Sequence, residues 1–348
     1  MPVLTASQIN DIVMTTLKEE GPVKFTQIIT KLVNYDIYKQ WFKRDFEQVP
    51  GGYSNVETVA IRPSEAAQRS SLFDKDSAHI VDMFGKVEAP WVNVKTHWAF
   101  ERRELLMNYG SRQIVDLIKA RRWNAMISLA ELLETEAWSM PDPSDPRAPY
   151  SIPYWFTKNK TEGFYGMNPD GFANVGGIDA TKEPMWRNWT AEYSKANDDD
   201  LLEKMRTAHR HIKWQSPIMV KGLRDENHED YRIYVNNDVY GKMNKLGRTQ
   251  NENLGVDLNA MEGEIVFKRH SIIYSEHLNQ YEDNPVYMIN HKTIGAKVLQ
   301  GDVFHETPPK PIDDSHNSLT GWVDLTYCIM GRNRRCNAVF TQKPGQSL

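Results

Sequence analysis

The stretch from Ser111 to Trp138 constrains the fold more than any other part of this sequence. It contains neither Gly nor Pro, and its apolar residues recur at the three- and four-residue intervals of one helix face. These residues are Ile114, Leu117, Ile118, Met126, Leu129, Ala130 and Leu133. A helix of this length spans about 42 Å, more than twice the average in globular proteins. The pattern predicts a central spine, although the long core helix of an ordinary enzyme would look the same.

Both ends of this helix are marked in the sequence. Gly110 interrupts the chain before it, and Ser111 can cap the first turn. Prolines cluster directly beyond Met140 and make a continuation of the helix unfavourable. The charges at Arg121 and Glu131 exclude a membrane span for this stretch.

Composition indicates a soluble chain without a strongly charged partner. The 348 residues can bury one large core or two smaller ones. Charged residues make up 25 % and apolar residues 40 %, with a formal net charge of −4. This balance favours neither nucleic-acid affinity by counterion release nor binding to an anionic membrane. The first residues lack the basic start and apolar run of a secretion signal, so we expect synthesis in the cytosol.

The two cysteines, Cys328 and Cys336, flank the residues from Gly331 to Arg334. If those four residues form a hairpin turn, the thiols face each other across an antiparallel pair, where a disulfide can form. In a reducing cytosol we expect two thiols instead.

The first hundred residues combine short helices with strands. Residues 5–20 and the segment after them carry helical apolar stripes, and helices this brief need a docking partner, for example another copy of the chain. From residue 46 to 100 the pattern has period two, clearest from Val92 to Phe100 and weaker from Glu57 to Ile61. We predict that these two runs form a hairpin arm whose tip is the polar stretch Pro63 to Lys86. The arm would lie on a neighbouring subunit or fold back on its own domain.

The rest of the chain mixes helices and strands. Residues 150–197 are rich in glycine and aromatics, which indicates a structured but irregular region. Asn197 can cap a helix, and a second capped helix is predicted to start at Asn237 or Asp238 after a strand at Tyr231–Val235.

From Glu264 onward strands dominate. The strands predicted from alternating patterns are Ile265–Phe267, Ser271–Tyr274, Val286–Asn290, Ala296–Leu299, Thr320–Ile329 and Arg335–Thr341. The last two are expected to pair through the turn at Gly331. Thr307–Pro311 holds three prolines and is predicted to be a loop. Helices in the middle and strands at both ends predict an α+β fold.

No group of residues predicts catalysis, a cofactor or a metal. His209 and His211 point about 160° apart on a helix and cannot share an ion, so both are expected on the surface. His277, His291 and His305 lack carboxylates at ligand spacing. The nucleotide-binding, nucleophile-elbow and zinc-protease motifs are absent.

Charged clusters have ordinary explanations. Residues Asp198 to Asp200 complement the dipole of a helix start. Asp313 and Asp314 lie in a turn that lacks the glycine and terminal glutamate of a calcium loop. The arginines from 332 to 335 are expected to form ion pairs or a solvated turn. Paired carboxylates for glycoside chemistry remain open, because the 46 acidic residues allow many pairs.

The order of these parts resembles that of a tailed-bacteriophage major capsid protein of the Hong Kong-97-like fold. The stretches that carry the resemblance are Trp98 to Glu104, Ile114 to Leu133, Ile152 to Trp155, Gln250 to Gly255, Val323 to Tyr327 and Arg332 to Asn337. It covers nearly the whole chain, and its specificity comes from the order of diffuse motifs.

The resemblance implies a domain plan. It consists of an N-terminal arm (1–45), an extended β-hairpin loop (46–100), a peripheral domain (101–149) containing the spine helix (111–138), an axial domain (150–284) and strands that return to the peripheral domain (285–348). Because the hairpin begins near residue 46, no room is expected for a cleaved scaffolding segment. A crosslink from Lys75 or Lys86 is not predicted, since no asparagine partner is identified.

The resemblance also implies a function. The chain would be a structural subunit that assembles into hexamers and pentamers of an icosahedral shell around double-stranded DNA, located in the virion. Its partners would be copies of itself, a separate scaffolding protein and a portal, with a decoration protein left open, weak non-specific contact with DNA and no membrane. The alternatives are another self-assembling virion protein, such as a tail or decoration protein, and a carbohydrate-active enzyme, suggested by the ten Trp.

Overall fold

The computed structural model describes residues 35–62, 64, 67, 69, 82–101, 111–213, 230–253, 265–312 and 315–346. The chain divides into two compact units. The first comprises residues 1–52, 91–135 and 296–328, and the second comprises residues 53–90, 136–295 and 329–348. The predicted N-terminal helices, the charged residues 102–104 and the turn at Asp313 and Asp314 lie outside the described residues.

The described helices include one of unusual length. They are α1 (Asp36–Tyr38), α2 (Ser111–Trp138), α3 (Ile152–Trp155), α4 (Glu203–Ile212) and α5 (Asn237–Asn253). Wider helical turns follow α1 at Lys39–Arg44 and precede α4 at Asp198–Leu202, and 3₁₀ turns cover Pro184–Trp186 and Glu276–Gln280. The predicted bounds of the spine helix, α2, are confirmed.

The strands form three sheets. They are β1 (Glu47–Val49), β2 (Ser54–Ala60), β3 (Phe84–Pro90), β4 (Val92–Glu101), β5 (Gly163–Gly166), β6 (Asn188–Tyr193), β7 (Tyr231–Val235), β8 (Ile265–Phe267), β9 (His270–Tyr274), β10 (Val286–Asn290), β11 (Ile294–Leu299), β12 (His305–Ile312), β13 (Ser315–Gly331) and β14 (Ala338–Gln342). One sheet has the order β1-β11-β13-β12 with β4 also on β13, a second has the order β5-β6-β14-β10-β7-β9-β8, and β2 pairs with β3.

In the first unit, α2 packs on the inward face of β4. Trp98 and Phe100 of β4 form an apolar cluster with Ile118 and Ala125 of α2 and Leu319 of β13. The alternation predicted for β4 is confirmed, with its even-numbered positions inward and Asn93, Lys95 and His97 exposed. This period-two burial fixes the register of the strand, because a one-residue slip would bring every charged side chain into the core.

The predicted loop Thr307–Pro311 is wrong, because these residues belong to β12. Proline removes a ladder donor and is tolerated at sheet edges and bulges. Both conditions are met here: β12 ends the sheet order, and its pairing with β13 is irregular between Thr307 and Lys310, which flank Pro308 and Pro309.

The hairpin is also paired differently from the prediction. β2 pairs with β3, from Ser54 opposite Pro90 to Ala60 opposite Phe84, whereas β4 lies in the sheet of the first unit against β13. Residues 84–86, predicted to be part of the tip, are therefore strand residues. Val92–Phe100 alternates more clearly than β3, which is why the sequence predicts it as the partner of β2. Alternation shows that one face of a strand is buried, but it does not identify the neighbouring strand.

The seven-stranded sheet of the second unit corrects the predictions for the end of the chain. β14 pairs with β6 in parallel and with β10 in antiparallel orientation, so it does not form a hairpin with β13. β10 and β14 therefore both lie in the sheet of the second unit. Cys328 and Cys336 are both buried thiols.

The two capped helices of this unit are confirmed. The Asn197 side chain accepts a hydrogen bond from the Asp200 N–H at 2.9 Å. The second helix begins at Asn237, as predicted, and its cap is Asn236, whose Oδ1 accepts from the Val239 N–H at 3.0 Å. The apolar side predicted for the first helix and its preceding turn, formed by Leu201, Met205, Ala208 and Ile212, is buried.

Candidate assembly surface

The β2–β3 hairpin has two unlike faces. On its inner face Val87 and Ala89 are fully buried and Asn55 is nearly so. On its outer face Val56 is 49 % and Phe84 is 63 % exposed. An inner face this well covered shows that the base of the hairpin is held by its own unit, while the outer face leaves apolar side chains in solvent.

Backbone and ion-pair contacts hold the inner face. The Glu88 N–H donates to the Gly176 carbonyl at 2.9 Å, and the Arg332 Nε donates to the Glu57 carboxylate at 2.9 Å. At the far end of the hairpin the Arg62 guanidinium pairs with the Glu183 carboxylate. This hydrogen-bonded guanidinium holds the pKa of Glu183 below its usual value.

Gly176 is required for this close approach. Its φ of +59° favours glycine, and a Cβ there would lie 2.7 Å from the Trp155 ring and 2.9 Å from the Val87 side chain. We therefore expect Gly176→Ala to lower the free energy of unfolding by about 2–3 kcal/mol, through backbone strain and overpacking. Chemical denaturation of the subunit measures this loss.

Gly177→Ala is the matched control. Gly177 also has a positive φ, +85°, but its Cβ would meet only the Lys86 carbonyl at 3.5 Å, an ordinary contact. Gly177→Ala should therefore introduce backbone strain without a clash and lower the free energy of unfolding by only about 1 kcal/mol. Equal losses in the two variants would show that the contact with Val87 and Trp155 does not hold the hairpin.

The outer face is the candidate assembly surface, defined here as Val56 and Phe84, with Tyr53 just before the hairpin. Val56 and Phe84 point to the same side of the ribbon because their partners, Glu88 and Ala60, are in the same register series. Tyr53 precedes β2 and is fully exposed. Exposed apolar side chains on a narrow ribbon are typical of a surface that another protein covers.

A buried arginine organises the loops beneath the hairpin. The Arg334 side chain is fully buried, so the predicted solvated turn is wrong at this position. Its guanidinium donates to the carbonyls of Trp155 (2.6 Å), Trp186 (2.9 Å), Met167 (3.1 Å) and Gly166 (3.4 Å) and to the side chains of Asn188 (3.0 Å) and Thr157 (3.2 Å). Burial lowers the pKa of Arg334 to about 9, so the group stays charged at neutral pH.

Its neighbours behave as the sequence predicts for ion-pair partners or turn residues. Arg332 pairs with Glu57. Arg335 lies over the Phe164 ring at 3.9 Å and donates to the Pro184 carbonyl at 3.3 Å.

Most tryptophans lie in the core and do not form an exposed platform. Among the described residues, the buried tryptophans are Trp41, Trp98, Trp138, Trp155, Trp186 and Trp189. The indole N–H groups of Trp155 and Trp186 donate hydrogen bonds to the carbonyls of Ile329 and Val175, respectively. Aromatic side chains that bind sugars must expose their ring faces. These buried side chains therefore do not favour a carbohydrate-active enzyme.

The carboxylates near the hairpin are structural as well. An open pocket of about 330 Å³ lies beside the hairpin, lined by basic and acidic residues alike. Hydrogen bonds from the Thr181 and Asn168 side chains hold the pKa of its Asp179 well below the usual range, and Glu183 is lowered too. The general acid of a glycosidase needs the opposite shift.

The sequence predicts that both histidines of α4 are exposed, and that the aspartates from 198 to 200 complement a helix start. His211 is exposed as expected, but His209 is buried, so that prediction is wrong for His209. The Asp200 carboxylate accepts from the Ser194 and Lys195 N–H groups, and Asp198 pairs with Arg206. Among the described residues, no three His, Cys, Asp or Glu form a metal-binding group.

None of the described helices combines the length and the apolar composition that crossing a bilayer takes.

Sequence comparisons give no relative. No family model matches the chain, and no curated protein matches it.

Solved structures match the fold over nearly the full length. A chain of the cyanophage A-1(L) capsid asymmetric unit superposes with a TM-score of 0.60 at 12 % identity, covering 95 % of this chain and 98 % of that one. A chain of the capsid of a native GTA particle superposes with a TM-score of 0.53 at 9 % identity, covering 93 % of this chain and 95 % of that one. A chain of the capsid of Myoviridae phage XM1 superposes with a TM-score of 0.52 at 10 % identity, covering 98 % of this chain and 99 % of that one. The predicted α+β phage-capsid fold is thereby confirmed.

Proposed function

We propose that this chain is a major capsid subunit, which assembles into the hexamers and pentamers of an icosahedral shell enclosing double-stranded DNA. The observation that carries the proposal is the agreement of the whole chain, with no large part missing or added, with the fold of phage capsid chains. Fold alone does not fix function, so the surface chemistry supplies the second argument.

The candidate assembly surface fits this role. A shell subunit needs broad contacts with its copies, and such interfaces bury apolar and aromatic side chains at their centres. Val56 and Phe84 offer such side chains on the outer face of the hairpin, and Tyr53 offers another just before it. In this proposal the outer face of the hairpin lies on a neighbouring subunit.

The domain plan follows from the same proposal. The first unit, with α2 and the five-stranded sheet, is assigned to the peripheral domain, and the seven-stranded sheet of the second unit is assigned to the axial domain. Residues 1–45 are assigned to the N-terminal arm. The hairpin β2–β3 replaces the predicted 46–100 span as the core of the extended loop.

A structural role without catalysis and a location in the virion complete the proposal. A separate scaffolding protein and a portal are the expected partners besides copies of the chain. The net charge of −4 suits a container through which DNA must move, because a strongly basic lining would hold the phosphate backbone. Salt-dependent, tight binding of purified shells to duplex DNA would contradict this last point.

Light scattering of the purified protein, followed by negative-stain microscopy, tests the proposed function. We expect capsomer-sized species or closed shells. A monomer of about 40 kDa that persists at high concentration, with and without a co-expressed scaffolding protein, would contradict it.

A further inference from the structure

Two histidines from different elements of the second unit meet head to head. His209 lies in the last turn of α4 and is 8 % exposed, and His270 is the first residue of β9 and half-buried. Their Nε2 atoms are 3.2 Å apart. The helical neighbour His211 takes no part, because its ring stacks on Trp189.

The separation of the two nitrogens fits a shared metal ion. Imidazole nitrogens bind Zn²⁺ at about 2.0–2.1 Å, which places two ligands of a tetrahedral ion about 3.4 Å apart. The His209 and His270 nitrogens therefore need to separate by only a few tenths of an ångström, and the rings, whose centroids are 5.4 Å apart, must tilt so that both lone pairs point at the ion. An apo site with this geometry holds one proton between the two nitrogens, and a metal ion takes the place of that proton.

The surroundings fix the two rings. The Tyr231 ring lies 5.2 Å from the His270 ring and 6.2 Å from the His209 ring. The Tyr231 hydroxyl donates to the Ile212 carbonyl at 3.4 Å, which ties it to the end of α4. Packing of this kind orients ligand rings before an ion arrives, and a site held in place binds more tightly than a flexible one.

We propose that His209 and His270 bind one divalent transition-metal ion through their Nε2 atoms, joining α4 to the β8–β9 hairpin. Imidazole ligands select Zn²⁺, Ni²⁺ or Cu²⁺ over the oxygen-seeking Mg²⁺ and Ca²⁺. Among the described residues, no third His, Cys, Asp or Glu joins the pair. The half-buried His270 gives the ion a path from solvent.

The affinity is expected to be moderate. Lys268 and Arg269 form the exposed turn before His270, and their charges oppose a cation. The site is independent of the proposed function, so either can fail without the other.

Thermal unfolding of the chelator-treated subunit with added Zn²⁺ tests the proposal. At about 100 times the dissociation constant the ion should raise Tm by about 3 °C, because it binds only the folded state. His209→Gln and His270→Gln should each abolish the shift, and the same concentration of Mg²⁺ should give none. Isothermal titration should find one site per chain.

His211→Gln is the matched control, since it removes an imidazole from the same helix two residues away and should keep the full shift. His270→Gln alters a half-buried side chain and remains informative if His209→Gln does not fold. No Zn²⁺ shift in the unaltered protein, or an unchanged shift in His270→Gln, would overturn the proposal. So would loss of the shift in His211→Gln.

Discussion

Replacing Arg334 with methionine should lower the free energy of unfolding of the subunit by about 3–5 kcal/mol, because it leaves buried acceptors without donors. Four of these acceptors are main-chain carbonyls of residues 155, 166, 167 and 186, which lie at the ends of α3, β5 and a 3₁₀ turn and in the loop after β5. Methionine fills much of the volume but donates no hydrogen bond. Urea denaturation followed by far-ultraviolet circular dichroism measures the loss.

Arg335→Met is the matched control one residue away. Arg335 stacks on Phe164 and donates hydrogen bonds to the Pro184 carbonyl and the Met185 sulfur, so Arg335→Met should lower the free energy of unfolding by about 1 kcal/mol. Arg334→Lys keeps the charge but has one nitrogen in place of the guanidinium fork. Its loss in free energy of unfolding should lie between the losses of Arg334→Met and Arg335→Met. Similar losses for Arg334→Met and Arg335→Met would refute the organising role of Arg334.

Replacing Phe84 with aspartate should leave the subunit folded and reduce the yield of assembled particles at least tenfold. The side chain is 63 % exposed in the single chain, so the folded subunit loses little. In the proposed interface the same side chain is covered, and a carboxylate buried there without a partner costs more than the 1.4 kcal/mol that corresponds to a factor of about ten. Sedimentation separates assembled from unassembled protein.

Phe84→Tyr is the control for this experiment. It keeps the ring and should assemble at the yield of the unaltered protein, since the added hydroxyl sits at the edge of an aromatic contact. Circular dichroism of both variants shows whether each subunit is folded. Normal shells from a folded Phe84→Asp subunit would remove Phe84 from the assembly surface.

Local patterns in the sequence predict the elements that depend on local physics. The bounds of α2 follow from Ser111 at one end and the prolines beyond Met140 at the other. Strands such as Tyr231–Val235 and Val286–Asn290 were predicted with the bounds they have. In each case the signal lies within one turn or one strand, where capping, proline and periodic burial decide the outcome.

Pairing between distant segments escapes such patterns. β3 follows a polar stretch and alternates weakly, yet it is the partner of β2. The three prolines around Pro309 look like a loop until β13 is known to lie beside them. Arg334 reads as a turn residue because its acceptors are more than 145 positions away, and His209 meets His270 across 61 positions. No spacing rule within a helix or a turn reports these contacts.

The functional prediction came from a resemblance in the order of parts and not from a site. The described structure adds where an assembly surface would lie, which the sequence left as an arm of residues 46–100. Exposure of Phe84 could have been anticipated from its period-two spacing with Lys86 and Glu88. Its pairing with Ala60 could not.

Cryo-electron microscopy of particles assembled from the purified protein is the measurement that tests the central claim most directly. We expect an icosahedral shell of pentamers and hexamers in which Val56 and Phe84 of each β2–β3 hairpin lie against a neighbouring subunit. Shells in which these side chains face solvent would contradict the assembly surface. Failure to form any closed or capsomer-sized assembly, with a scaffolding protein supplied, would contradict the capsid function itself.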